Sequence, residues 1–342
     1  VRVTQQDLAK IAGVSQATVS RVLAEDARVE EHIRQKVLSA MKETNYKPDI
    51  RARSLRQQRT FLIGLVLKRD ASDLQGDPFF SMFVSEVLGY LSSTPYHLCV
   101  DIATGALRQE YIYDEMLRTR RVDGLILVES EPRDERIKKL QHEGFPFVLI
   151  GNPQTADNIH SVDNDNVEAG FKLTEHLLSQ GFKKIEFLAG PESVTVVGDR
   201  VEGYRMAMQK AGLPAQAFYT DFGFTAARAL AHRILRRDDR PEALVVLDDF
   251  MAMGVVDAAR DLSIEVPKNL GIASFNDSNL CSLVPGGLTS VSLSIAEIVR
   301  VTCGKLLRLI EGTESGEARR IVVPTLLKVR GSSVGSNEQA IR

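Results

Sequence analysis

Residues 3–23 read VTQQDLAKIAGVSQATVSRVL, and a glycine set between two short apolar stripes constrains this stretch more tightly than any other part of the chain. Leu8, Ile11 and Ala12 recur at i, i+3 and i+4, which puts them on one face of a short helix beginning near Thr4. Gly13 supplies the permissive backbone of a tight turn. Ser15 has the chemistry of an N-cap for a second helix, whose apolar stripe is Val19, Val22 and Leu23. Polar Gln16, Thr18, Ser20 and Arg21 are left outside. Two helices joined in this way form a helix-turn-helix, and the second is of the kind that enters a major groove. Residues 31–44 give a third amphipathic helix with Ile33, Val37, Leu38 and Met41 inward; Pro48 closes the unit. The expected boundary of this all-α head is 1–48.

Charge supports duplex DNA as its partner. The chain carries 43 Lys+Arg against 45 Asp+Glu, a net charge of −2. Residues 1–60 hold 12 basic and 7 acidic side chains, and the remainder 31 and 38. Segregation of this sign suits one small module that meets phosphate and a larger body that does not. At 342 residues and 44% hydrophobic content, two or three domains with a sizeable core are expected. No apolar run approaches the roughly 20 residues that span a bilayer, and the N-terminus has no secretory pattern, so the expected location is the cytoplasm and no membrane partner is expected. Cys99, Cys281 and Cys303 are odd in number and far apart, which fits reduced buried thiols. Neither a metal nor a cofactor is expected.

After the third helix comes the arginine-rich segment DIRARSLRQQRT, residues 49–60, read as a hinge or linker. At this point the chain resembles the lactose-repressor (LacI/GalR) family of bacterial transcription regulators. The matching residues include Asp7, Ala12-Gly13-Val14-Ser15, Thr18-Val19-Ser20-Arg21-Val22-Leu23, Asn45-Tyr46, Pro48 and Ala52-Arg53-Ser54-Leu55. The resemblance implies that Gln16, Ala17 and Arg21 face bases. Arg suits guanine, Gln adenine, and an alanine methyl can meet thymine. It implies that Thr4, Ser15 and Ser20 hold phosphate. It also implies a hinge, including Ala52 and Arg53, that becomes helical on DNA, with Leu55 wedged into the minor groove. Asp49 departs from the asparagine usual in relatives. Two hinges must meet for such a wedge to work, so a homodimer on a pseudo-palindromic operator is implied.

From Phe61 onward, short apolar runs alternate with helical segments: FLIGLVLK, HLCVDIA, GLILVE, FVLIG, KIEFLAG, AFYTDF, ALVVLDD and GIASFND. Runs without period-2 alternation, separated by helices, indicate parallel sheets covered on both faces. The number of runs and the polar passage at 158–166 favour two doubly wound lobes. The resemblance implies a periplasmic-binding-protein-like body over 61–330. Its first lobe takes about 61–160 and 294–324, its second about 163–290 and 325–335, with crossings near 161, 291 and 325. Dimer contacts are expected on outer helices that include residues 82–91 and 249–261.

Ligands of doubly wound sheets bind beyond the carboxyl ends of the strands. Those ends carry Asn152, Asp248, Asp249, Asn276 and Asp277, with Arg200 nearby; aromatic Phe79, Phe80, Phe222 and Phe224 follow other strands. Carboxylates and amides bind hydroxyl pairs, a guanidinium bridges two oxygens, and aromatic faces pack on sugar C–H groups. The expected effector contacts are Phe79, Asn152, Arg200, Phe222, Asp248, Asn276 and Asp277, with Asp249 capping the helix that begins at Phe250. By resemblance, Arg200 and either Asp277 or Asn276 match the family's main effector contacts. The segments DPFF, VDNDN and SFNDSNLC look like those of maltose-type repressors, so maltose or another α-glucoside is the favoured ligand.

Other motifs fail on spacing. Asp163-Asn164-Asp165 opens like a calcium loop, but Glu168 stands where the turn requires glycine; helix capping explains it. Asp221-Phe222-Gly223 lacks the rest of a kinase signature. The alternatives to a sugar-responsive repressor are a catabolite regulator of the same family, using a phosphorylated carrier protein, and a sugar-binding enzyme.

Overall fold

The structure is a computed structural model and describes residues 3–23, 26–46, 58–67, 78–153, 158–314, 317 and 319–334. The chain divides into two compact units, Val1–Thr60 and Phe61–Arg342.

The first unit contains α1 (Gln5–Ala12), α2 (Gln16–Leu23) and α3 (Glu31–Glu43). Thr4 caps α1 reciprocally: its hydroxyl accepts from the Asp7 amide, and the Asp7 carboxylate accepts from the Thr4 amide at 3.0 Å. Gly13 ends the helix at φ 65°, a left-handed conformation that favours glycine. The Ser15 hydroxyl accepts from the Thr18 amide at 3.1 Å and starts α2. Leu8, Val19 and Val37 are fully buried, with Ala9, Ala12, Val22 and Ala40 around them. Ile11 and Leu38, expected inward, are 51% and 44% exposed. Three short helices enclose only a narrow core, and small alanines let the backbones close over it. The inward arc therefore passes through Ala9 and Ala40, leaving the two larger side chains on its flanks.

The second unit holds two six-stranded sheets. The first contains β1 (Leu62–Leu67), β2 (His97–Ile102), β3 (Gly124–Leu127), β4 (Phe147–Ile150), β5 (Ser161–Asn164) and β11 (Arg320–Val323), in the spatial order β11-β5-β4-β3-β1-β2. All its pairings are parallel. The second contains β6 (Ile185–Ala189), β7 (Gln216–Tyr219), β8 (Ala243–Val246), β9 (Gly271–Asn276), β10 (Thr289–Ser292) and β12 (Leu326–Lys328), in the order β12-β10-β9-β8-β6-β7. Only β12 runs antiparallel to its neighbour. Central strands β8 and β9 are buried throughout, whereas no residue of edge strand β2 is fully buried.

The covering helices are α4 (Pro78–Leu91), α5 (Ala106–Thr119), α6 (Glu135–His142), α7 (Asn166–Ser179), α8 (Thr195–Lys210), α9 (Phe224–Leu235), α10 (Asp249–Asp261) and α11 (Ile295–Glu311). Helix α11 returns to the first sheet and packs on α4, β3, β4 and β5. The chain passes between the sheets after β5, after β10 and after β11. One side chain ties all three passages: the Asn164 amide donates to the carbonyls of Leu293, at 3.1 Å, and Val323, at 2.8 Å. The crossing expected near residue 161 falls after β5, whose residues Ser161–Asn164 form a fully buried strand of the first sheet.

Helix α10 packs against α9, which covers part of its apolar surface within the chain. The helices meet so closely that a Cβ on Gly254 would lie 2.5 Å from the Phe224 carbonyl oxygen.

Candidate functional site

On the first unit, Gln16, Ala17 and Arg21 share an exposed face of α2, flanked by half-buried Thr18 and Ser20. Among the described residues, the Arg21 guanidinium makes no hydrogen bond or ion pair. Thr4 and Ser15 stand exposed at the amino ends of α1 and α2, where free backbone amides favour an anion. The Thr4 hydroxyl also donates to Asp7 at 2.6 Å. Asp49, Ala52, Arg53 and Leu55, and with them the hinge reading, lie outside the described residues.

On the second unit, a cavity of about 130 Å³ opens at the carboxyl ends of both sheets. That is roughly ten times the space one water needs on such a measure. The ends of β4 and β5 bring Asn152, Asp163 and Asn164 to it; the ends of β8 and β9 bring Asp248 and Asn276. Phe79 and Phe83 on α4 and Phe222 before α9 supply aromatic wall. Two contacts join the lobes across it. Asn152 donates its side-chain amide to Asp199 at 3.3 Å, and the Thr195 amide donates to the Ser130 carbonyl at 3.0 Å.

Arg200 is 5% exposed and its orientation is fixed on several sides. Nε donates to the Asn166 side-chain oxygen at 3.0 Å and Nη1 to the Leu247 carbonyl at 2.7 Å. The guanidinium lies 4.3 Å over the Phe275 ring. Burial pulls its pKa down to about 10, against the opposing fields of Asp248, Asp163, Asp249 and Asp199, and it remains charged at neutral pH. The position depends on two helices touching backbone to backbone. A Cβ at Gly203 on α8 would lie 1.9 Å from the Val167 carbonyl oxygen on α7, and one at Gly170 would lie 2.3 Å from that of Arg200. Only glycine allows this approach, and it brings Arg200 within reach of the first turn of α7.

Asp163 is 4% exposed. Its carboxylate accepts from Asn166 at 3.0 Å and from Arg320 at 2.8 Å. Burial pushes its pKa up to about 6, while Arg320 opposes the shift. Asp165, not Asp163, caps α7, accepting from the Glu168 amide at 2.9 Å. Sequence reading thus set Asp163 and Asn166 aside as parts of a helix start, although both face the cavity. Asp199 and Phe275 were likewise passed over beside their chosen neighbours.

After β8, the capping role expected of Asp249 falls to Asp248. Asp248 caps α10, accepting from the Met251 amide at 2.7 Å, and still lines the cavity. Asp249 is fully buried beneath, accepting from the Ser274 and Ser290 hydroxyls at 2.5 and 2.7 Å and from the Ser278 amide at 2.6 Å. Asp277 is a further departure. Its carboxylate turns to Arg330 at 2.6 Å, and it borders a different groove with Glu86 and Glu297. Asn276, at φ 101°, and Asp277, at φ 52°, hold consecutive left-handed conformations, which direct the two side chains apart. Backbone of that kind is held only where surrounding structure imposes it. Phe80 and Phe224, which sequence placed near the ligand, do not line the cavity.

The sequence matches two family descriptions: "Bacterial regulatory proteins, lacI family" over residues 4–49 and "Periplasmic binding protein-like domain" over 174–333. It is 32% identical over 322 residues to the HTH-type transcriptional regulator MalR of Streptococcus pneumoniae serotype 4, covering 92% of this chain and 95% of that protein. Among solved structures it resembles the transcriptional regulator CelR–cellobiose complex, at 27% identity and a TM-score of 0.74, covering 97% of this chain and 100% of that one. The lac repressor dimer bound to operator and the anti-inducer ONPF gives a TM-score of 0.84 at 23% identity, covering 98% and 100%, and shows the same fold.

Proposed function

The chain belongs to the LacI family of bacterial regulatory proteins, and from that premise we propose a repressor that releases its operator when a small neutral sugar occupies the cavity between the lobes. Its relatives are transcriptional regulators, not enzymes. Among the described residues no helix is long and apolar enough to cross a membrane. Arg21, Gln16 and Ala17 read base edges in the major groove, while Thr4, Ser15 and Ser20 hold phosphates and set the register.

The observation that carries the effector reading is the preset Arg200 in a cavity walled by both amides and aromatic rings. Two of its nitrogens are anchored, so the guanidinium is oriented before a ligand arrives and little ordering remains for binding to supply. Asn152, Asp248 and Asn276 then take hydroxyls, and Phe79 and Phe222 cover the C–H faces of the ring. Asp277, committed to Arg330, is left out of this set.

Two copies act together. Leu88 on α4, Val100 and Ile102 on edge strand β2, and Leu107 and Tyr111 on α5 are 41–85% exposed, an apolar surface that a second first lobe can cover. Maltose is the first ligand to test, because of the resemblance to maltose-type repressors and the similarity to MalR; cellobiose is the comparison. The full chain should bind a pseudo-palindromic duplex as a dimer, and saturating maltose should weaken binding by about 5–150-fold, the usual range of such coupling. DNA affinity that no sugar in a panel of mono- and disaccharides moves would overturn the effector reading.

A further inference from the structure

A relay of side chains joins the effector cavity to a residue outside it. The Arg200 guanidinium donates from Nε to the Asn166 side-chain oxygen at 3.0 Å. Asn166 donates from Nδ2 to Oδ1 of Asp163 at 3.0 Å, and Arg320 donates from Nη2 to Oδ2 of the same carboxylate at 2.8 Å. Arg200, Asn166 and Asp163 are at most 5% exposed and line the cavity. Arg320, on β11, is exposed and does not line it. The links pass from α8 to α7, on to β5 and then to β11, and so run from the second lobe into the first.

Donor and acceptor roles along this relay are interdependent. An amide has one accepting and one donating end, so its neighbours decide which way round it sits. Asp163, as a carboxylate, only accepts, and therefore turns the Asn166 nitrogen towards itself and the oxygen towards Arg200. The Asn164 carbonyl, at 3.3 Å from that nitrogen, adds a weaker acceptor. A neutral carboxyl would carry a donor of its own, able to claim the Asn166 oxygen instead. Burial presses Asp163 towards that neutral form, Asp199 adds to the pressure, and Arg320 is the foremost group opposing it. The Leu247 carbonyl holds Nη1 of Arg200 at 2.7 Å. With Asn166 turned round, Nε would face a donor, and the guanidinium would swing on that remaining bond over the Phe275 ring.

We propose that Arg320 is a positioning residue for the effector: it keeps Asp163 an acceptor, Asp163 fixes the Asn166 amide, and the amide orients Arg200. A side chain with no contact in the cavity thereby sets sugar affinity. This rests on the sugar reading above and adds to it a residue outside the direct contacts.

Calorimetric titration of the full chain at pH 7 with maltose, cellobiose and the rest of the mono- and disaccharide panel tests it. Arg320→Met should bind whichever sugar the wild type binds at least about fivefold more weakly, and Arg320→Lys, which keeps the cation, should stay within about twofold. Arg320 lies at the surface, so both variants keep the core packed. The decisive measurement is the same Arg320→Met change made in an Asn166→Ala background. Asn166→Ala leaves the Leu247 anchor on Arg200 and should bind about tenfold more weakly than wild type. There the relay is already cut, and the further loss on Arg320→Met should be under about twofold. Equal losses with and without Asn166 would mean that Asp163 meets the sugar by itself, and would overturn the relay. An Arg320→Met protein that binds as tightly as wild type would overturn it too, and in both cases the sugar reading stands. Should the wild type bind no sugar of the panel, the sugar reading fails and this inference falls with it.

Discussion

Gln16 and Arg21 stand on an exposed helix face, and no hydrogen bond among the described residues holds Arg21. Arg200 is 5% exposed, with two nitrogens anchored and an aromatic ring beneath. The two arginines serve proposed sites of different kinds, and their environments match the demands. A groove reader must adapt to base steps and wet phosphates, so its side chain gains order on contact, at an entropic cost of up to about 2 kcal/mol. A cavity that must tell one small polyol from another gains from donors fixed beforehand. An adaptable Arg21 thus suits the proposed DNA face, and a preset Arg200 the proposed effector wall.

The largest effect should come from breaking the first half of that contrast. Arg21→Ala removes a base contact worth about 1–3 kcal/mol in each half-site, and twice that in a symmetric dimer. Affinity for a pseudo-palindromic duplex, measured by fluorescence anisotropy at fixed salt, should fall by at least about thirtyfold. Sugar binding should be unaltered. Retained DNA affinity would take α2 out of the groove.

A middle effect tests how strongly the cavity is preset. The Asp163 carboxyl titrates at about 6 in the folded protein, against an ordinary value of 3.8. Above pH 6 the folded state holds a charge that burial disfavours, whereas the unfolded chain carries that charge freely in water. As pH falls from 7 towards 4, the folded state takes up its proton first and gains stability, by at most about 3 kcal/mol. Glu314 acts in the opposite sense and in a lower window. The Lys305 and Arg308 side chains hold its pKa down to about 2, so its contribution is lost only as pH drops below the ordinary 4.5. Denaturant unfolding of wild type and Asp163→Asn at pH 5 and pH 7 separates the two. The wild type should gain relative to the variant at pH 5; parallel pH profiles would mean that Asp163 is not a buried, reluctant anion.

The same contrast explains what the sequence made legible. The head could be read because its logic is local: Thr4 with Asp7, Gly13, and Ser15 with Thr18 all act within a few positions. The eight apolar runs that form β1–β4 and β6–β9 were equally visible, while the short β11 and β12 were not read. Strands β5 and β10 were not, because Asn164, Thr289 and Ser290 are buried polar residues whose partners lie far along the chain. The cavity was half legible. The strand-end rule found Asn152, Asp248 and Asn276, but Asp163 resembles one end of a helix cap until Arg320, 157 positions away, is seen to pair with it.

The smallest effect concerns the residue that sequence placed in the ligand site and the fold turned away from it. Asp277 pairs with Arg330 where the two side chains are 16% and 32% exposed, so solvent screens the attraction and its loss should cost about 1 kcal/mol. Asp277→Ala should therefore lower sugar affinity by less than about threefold. Asn276→Ala, one position earlier and facing the cavity, removes a ligand hydrogen bond of about 1 kcal/mol or more and should lower it about tenfold. Both values can be read from one set of calorimetric titrations. If the order were reversed, Asp277 would have to leave Arg330 when sugar binds. The left-handed pair at 276 and 277 would then be a hinge that swaps two side chains, not a fixed bend that separates them.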